Sequence, residues 1–137
     1  MSLILDSSAT LAWSFPDERT EAIVELFLLI ANSGAIVPEL WRLEVANVLN
    51  VGIRRSRISK VDRQGILFDL QSLPIAIDGE TGMYAWTKTL DLADAHHLTV
   101  YDASYLELAL RLALPLATLD DDLRKAAGRE GLQLLGK

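Results

Sequence analysis

The sequence predicts an α/β domain: a central, mostly parallel sheet of four to five strands with helices on both faces. Three observations carry this. Short, wholly or mainly apolar runs at residues 3–5, 35–37 and 116–118 have the character of strands covered on both faces. Between them lie longer segments with apolar residues at helical spacing. The connections are short, and strands alternating with helices imply right-handed parallel crossovers.

In chain order, Leu3-Ile4-Leu5 ends at Asp6, and Ser7-Ser8 turn the chain into a helix over residues 9–14 that Pro16 stops. Asp17 and Glu18 are expected to cap a helix over 20–32, where acids suit the positive end. Ser33-Gly34 end it. Residues 35–37 form the second strand, and Pro38 suits the first turn of the next helix. That helix spans about 39–54, with Trp41, Glu44, Val45, Val48 and Leu49 on one face. Ser59 caps a helix over 60–70. Residues 74–78 read as an edge strand because of their proline. One helix is expected over 79–95, then His96-His97-Leu98 as a loop. Tyr101, Tyr105, Leu108, Ala109 and Leu112 recur at helical spacing in a helix that Pro115 ends. After 116–118, a helix opens at Leu123, and 132–134 is the last strand.

The 137 residues fit one domain, 1–137, large enough for a real core, and half are hydrophobic. No apolar run reaches the roughly eighteen residues that span a bilayer. Met1-Ser2-Leu3 leads into a strand without a basic segment, so no signal peptide is expected. The absence of cysteine excludes disulfides, thiolate zinc sites and cysteine nucleophiles, and suits the cytoplasm. The net charge of −6 argues against a general nucleic-acid coat protein. It is unevenly spread: residues 54–63, with five basic groups and one acid, carry +4 and leave the remainder at −10.

Four acids are hard to explain singly as surface. Asp6 ends the first strand, Glu44 lies on the apolar face of its helix, Asp102 heads a helix, and Asp120 follows a later strand. In an open α/β sheet, ligands collect at such strand ends. Plain structural readings stand beside each. Asp6 suits a turn, Thr99 to Asp102 and Thr118 to Asp121 fit capping boxes, and Asp120 suits an N-cap. Asp121 reads as surface, while Asp122 lies one helical step further round, within reach of a metal through water. Glu44 resists dismissal, since charges seldom sit on an apolar face unpaired. His96 and His97 read as loop residues, and Trp13, Trp41 and Trp86 as core or interface residues. Carboxylates converging on one rim repel unless a cation sits among them, and no Lys or Arg cluster accompanies these. A hard divalent ion, Mg²⁺ or Mn²⁺, answers that need.

Asp6-Ser7-Ser8-Ala9, Glu44 within Leu43-Glu44-Val45-Ala46-Asn47, Tyr101-Asp102-Ala103-Ser104-Tyr105 and Ala117-Thr118-Leu119-Asp120 resemble, in order and spacing, the four motifs of the PIN domain family. The compact length is similar to that of the VapC-type toxins of prokaryotic toxin–antitoxin pairs. The resemblance implies a Rossmann-like PIN fold and a magnesium-dependent endoribonuclease hydrolysing RNA with metal-activated water. It implies Asp6, Glu44, Asp102 and Asp120 as the acids of a metal site, Asp122 as a fifth, and Ser7, Ser8 and Thr118 as supporting polar groups. It also implies a homodimer, an antitoxin partner and an RNA substrate. Arg54, Arg55, Arg57, Lys60 and Arg63 would then track the RNA backbone, or else form a solvated surface.

Competing readings are a metal-dependent phosphatase, a phosphoacceptor domain and a catalytically silent PIN fold serving as a binding module. A haloacid-dehalogenase-type phosphatase needs a second Asp two residues after the first, where this chain has Ser8. A receiver domain needs an acid at the end of its third strand, which Asp78 offers, and a strand-end lysine after Thr118, which is lacking. Retention of all four acids counts against the silent module.

Overall fold

The computed structural model describes residues 2–137. Five strands form one sheet in the order β3-β2-β1-β4-β5, every neighbouring pair parallel. They are β1 (Ile4–Leu5), β2 (Ala35–Pro38), β3 (Ile75–Asp78), β4 (Leu116–Ala117) and β5 (Leu134–Leu135). The helices are α1 (Ser7–Ser14), α2 (Glu21–Ser33), α3 (Leu40–Arg54), α4 (Lys60–Gln71), α5 (Lys88–His96), α6 (Val100–Leu112) and α7 (Asp121–Arg129), with a 3-10 turn at Thr81–Tyr84. Among the described residues, no helix is long and apolar enough to cross a membrane.

The order places β1 at the centre, and its fully buried residues Ile4 and Leu5 explain the unbroken apolar run. Ile4 pairs with Ile36 on one side and Leu116 on the other. The chain first builds outward through β2 and β3, then returns across the sheet to β4 and β5. The reversal lies between β1 and β4, where a parallel sheet opens a crevice at its carboxyl edge. Helix α6 packs on β1, β2 and β4, burying Tyr105, Leu106, Leu108 and Ala109.

Several boundaries differ from the sequence reading, each through a contact outside the local pattern. Thr20, not Asp17 or Glu18, caps α2, its hydroxyl accepting from the Ile23 amide at 3.2 Å. Asp17 and Glu18 instead face Arg57, with Asp17 at 2.8 Å. Pro38 ends β2 rather than opening a helix. The helix expected over 79–95 is broken. The Thr81 hydroxyl donates to Asp78 at 2.7 Å, and Arg111 reaches over from α6 to Asp78 and Glu80, so α5 begins only at Lys88. The last strand lies two residues later at its start than expected, because the Leu132 amide closes the end of α7 on the Ala127 carbonyl at 3.0 Å. At the end of α2, Gly34 adopts φ +80°, and an added Cβ would stand 3.0 Å from the Pro74 carbonyl oxygen. That position therefore needs glycine on both grounds.

Candidate active site

Asp6 leaves β1 beside the end of β4, its amide donating to the Ala117 carbonyl at 3.0 Å. Its carboxylate is buried and held by two hydroxyls on a single oxygen. Thr118 donates to Asp6 Oδ2 at 2.6 Å and Ser8 donates to the same atom at 2.7 Å. Those hydroxyls accept in turn from the Asp120 amide at 3.1 Å and the Leu119 amide at 3.0 Å. Ser7 adds a longer contact to Asp6 Oδ1 at 3.4 Å. The motif serine and threonine thus lock the turn after β4 onto the acid after β1. Burial pushes the Asp6 carboxyl above its ordinary range, against the Thr118 and Ser8 hydrogen bonds, and the Asp120 charge adds to the rise.

Helix α3 delivers Glu44. Trp41, Val45 and Leu49 turn inward on α3, and Glu44, half-buried, sits at the edge of that face. Val48, expected on the same face, is exposed. A buried strut sets the helix against α1: Trp41 Nε1 donates to Thr10 Oγ1 at 2.9 Å, and Thr10 donates to the Asp6 carbonyl at 2.9 Å. The Tyr105 phenol donates to Glu44 Oε1 at 2.5 Å. Burial raises the Glu44 carboxyl, the Tyr105 hydrogen bond opposes the rise, and the Asp6 charge adds to it.

Asp102 lies in the first turn of α6, where Thr99 is the cap, its hydroxyl accepting from the Asp102 amide at 3.1 Å. The reciprocal bond that completes a capping box forms at Ser59 and Asp62 of α4 but not here. Asp102 is therefore the less engaged half of the pair. Its carboxyl is pushed up to about 6, first by burial, then by the charges of Asp6, Asp120 and Glu44. Asp120 is the N-cap of α7, its Oδ2 accepting from the Leu123 amide at 2.8 Å. Cap and site readings of Asp120 are thus compatible, since capping engages one of its two oxygens.

The four sequence-predicted acids accordingly share one electrostatic field, and no ion pair among the described residues involves any of them. Oxygen donors alone, with no thiolate and no imidazole, suit a hard cation. Among the described residues, no three acids or histidines close tightly on one point. Mg²⁺ keeps several waters and takes only one or two carboxylates, so a loose set of acids of this kind fits it.

Other candidates fall outside this field. Asp122 is exposed on α7, and Asp121 pairs with Lys137 at 2.9 Å. Arg57 is committed within the chain, paired to Asp17 and stacked 4.0 Å over the Phe15 ring. Arg54, Arg55 and Lys60 are exposed and Arg63 is partly so. Asp78, the acceptor a receiver domain would need, is held by Arg111 at 2.8 Å, which keeps its carboxyl below the usual range. His96 ends α5 and meets Glu130 at 2.9 Å, while His97 caps that helix at φ 55°. Trp41 is buried and Trp13 stacks on Phe27, but Trp86 is 90% exposed and outside the core. Sequence reasoning did not single out Tyr105 as a site residue. It counted as part of an apolar stripe and as the last residue of the third motif, although its place one turn after Asp102 was the available signal for a role of its own.

The PIN domain family profile matches residues 3–129. The chain is 30% identical over 123 residues to ribonuclease VapC3 of Pyrobaculum aerophilum, covering 90% of this chain and 92% of that one. The crystal structure of PAE2754 from Pyrobaculum aerophilum superposes with a TM-score of 0.69 at 23% identity, covering 98% of this chain and 92% of that one. FitAcB from Neisseria gonorrhoeae gives 0.63 at 16% identity, over 98% and 96%. At these identities the two structures speak to the fold alone. The profile match along nearly the whole chain, with a relative alike over nine-tenths of both lengths, makes this chain a member of the PIN domain family, among its VapC-type proteins.

Proposed function

We propose that this protein is a Mg²⁺-dependent endoribonuclease, with Mn²⁺ able to substitute, acting as the toxin of a toxin–antitoxin pair. The observation that carries the reading is the gathering of Asp6, Glu44, Asp102 and Asp120 at the strand ends, with no cationic side chain among the described residues paired to any of them. The relative named ribonuclease VapC3 supports RNA as the substrate. When bound, a divalent ion supplies charge compensation and Lewis acidity toward a phosphodiester. Asp6, Asp102 and Asp120 would hold it, one or two of them directly and the rest through its waters, with Asp122 acting only through water. Ser8 and Thr118 aim Asp6 through hydrogen bonds to one oxygen, with Ser7 on the other. Glu44 completes the acidic set from the opposite helix and is placed to accept a proton. The test is cleavage of single-stranded RNA in Mg²⁺, in Mn²⁺ and in EDTA, beside a generic phosphatase substrate. Cleavage restricted to RNA and abolished by EDTA is expected. Phosphatase turnover, or cleavage that survives chelation, would overturn the reading.

A homodimer and an antitoxin partner belong to the same proposal. Leu28 and Leu29 of α2, Leu43 of α3 and Phe68 of α4 lie exposed on helices whose other faces fill the core. Light scattering of the same sample reads its mass, and a monomer at micromolar concentration counts against the dimer.

The basic segment gives a separate prediction. Arg54 lies ten residues beyond Glu44 on α3, about 15 Å along the axis. That offset suits a strand of RNA leaving the acids. Arg54→Ala with Arg55→Ala should flatten the salt dependence of RNA binding by roughly 0.7 for each phosphate left without its arginine. Arg57→Ala should change that slope little, because its charge already meets Asp17. A slope untouched by the first pair assigns both arginines to the solvated surface.

A further inference from the structure

We propose that Tyr105 is the positioning residue of the acid site, its phenol fixing the Glu44 carboxylate of α3 in register with the Asp102 carboxylate of α6. The inference rests on the metal-dependent reading above and deepens it. Asp102 and Tyr105 are three residues apart on α6, so one helical face presents an acid and a donor together. The Tyr105 ring is fully buried, whereas Glu44 is half-buried, so the phenol is the rigid member of the pair. At 2.5 Å the bond lies in the short range of hydroxyl–carboxylate contacts. The phenol donates this bond and so commits Glu44 Oε1.

Glu44 needs such a partner. Thr118 and Ser8 hold the Asp6 carboxylate and the Leu123 amide holds that of Asp120, while Asp102 is a short side chain on the first turn of α6. Glu44 sits mid-helix on a side chain with three rotatable bonds, and the Tyr105 hydroxyl bonds its carboxylate.

Tyr105→Phe keeps the ring and removes only the donor. Three measurements follow: a thermal melt in EDTA, Mn²⁺ binding followed by electron paramagnetic resonance, and RNA cleavage resolved into kcat and KM. The variant should remain folded and bind Mn²⁺ several-fold more weakly than wild type. Its kcat should fall about tenfold with KM unchanged. In a Glu44→Gln background, Tyr105→Phe should leave Mn²⁺ binding where Glu44→Gln alone puts it, since neighbours acting on one group are not additive. If the Phe variant does not fold, Tyr105→Met is read in the same assays. A variant that matches wild type in Mn²⁺ affinity and kcat overturns the inference alone. A wild type that binds no Mn²⁺ overturns the metal reading and the inference with it.

Discussion

Arg111→Met is expected to cost the protein about 3–5 kcal/mol, the range for breaking a buried ion pair from one side. Arg111 joins α6 to the end of β3. Its guanidinium meets Glu107 at 2.8 Å, Asp78 at 2.8 Å and Glu80 at 3.4 Å, and stacks 4.7 Å over the Tyr84 ring. The Glu107 side chain is 0% exposed and that of Asp78 only 12%. Without Arg111 a fully buried carboxylate has no cation. A loss of this size lowers Tm by roughly 10–20 °C in a chain of this length. The pH dependence has a definite sign. Asp78 is held below its usual range in the wild type, which adds stability above about pH 4 and loses it in acid. Loss of that Asp78 contribution makes the gap between variant and wild type widest near neutral pH and narrower in acid. Glu107→Gln added to Arg111→Met should restore part of the loss. A variant melting within a degree or two of wild type at pH 8 would show the network to be solvated.

Asp102→Asn is expected to abolish RNA cleavage, by about 100-fold or more, while raising the stability of the metal-free protein. The loss is of the size seen when one electrostatic group leaves an active site. The stability gain follows from linkage. The folded-state carboxyl is raised to about 6 from an ordinary 3.8, so in EDTA the wild type loses stability as pH rises between those values. Asp102 remains partly open to solvent, and screening reduces the effect to about 1 kcal/mol. Asn carries no charge and so escapes it. Thr99 supplies the cap of α6, so the substitution leaves the cap in place. The variant should melt above wild type at pH 7.5 in EDTA and level with it near pH 4. Mg²⁺ should raise its Tm less than that of wild type, because stabilisation follows native-state affinity. A variant that melts lower in EDTA, responds equally to Mg²⁺ and still cleaves RNA would return Asp102 to a structural role.

The acids were legible in the sequence because their signals are local. An Asp directly after an apolar strand, or a Glu among inward-turning residues on one helix, contradicts the pattern around it. The sheet was legible for the same reason: Ile4, Leu5, Leu116 and Ala117 are buried without alternation. What escaped was set by contacts across the chain. Arg57 read as a free cation, and nothing nearby in sequence announces Asp17 forty residues earlier. The break before Lys88 depends on Arg111 reaching back to Asp78, while the local pattern of 79–95 favours one continuous helix. Tyr105 was hidden because a buried phenol and a buried phenylalanine contribute alike to helical periodicity, and only its partner distinguishes them.

The Thr118–Asp6 hydrogen bond spans 112 positions and joins strands of two residues each. Neither strand can hold such a register alone, and the loop they close carries a large entropic cost. The pocket therefore comes into being only when the return crossing to β4 is finished. A chain cut before Thr118 has Asp6, Ser8 and Glu44 but neither the Thr118 hydroxyl on Asp6 nor Asp120, and one stalled with β2 and β3 assembled on β1 has not brought them into place. Competence at this site is a late event in assembly, and folding itself works as the safety catch.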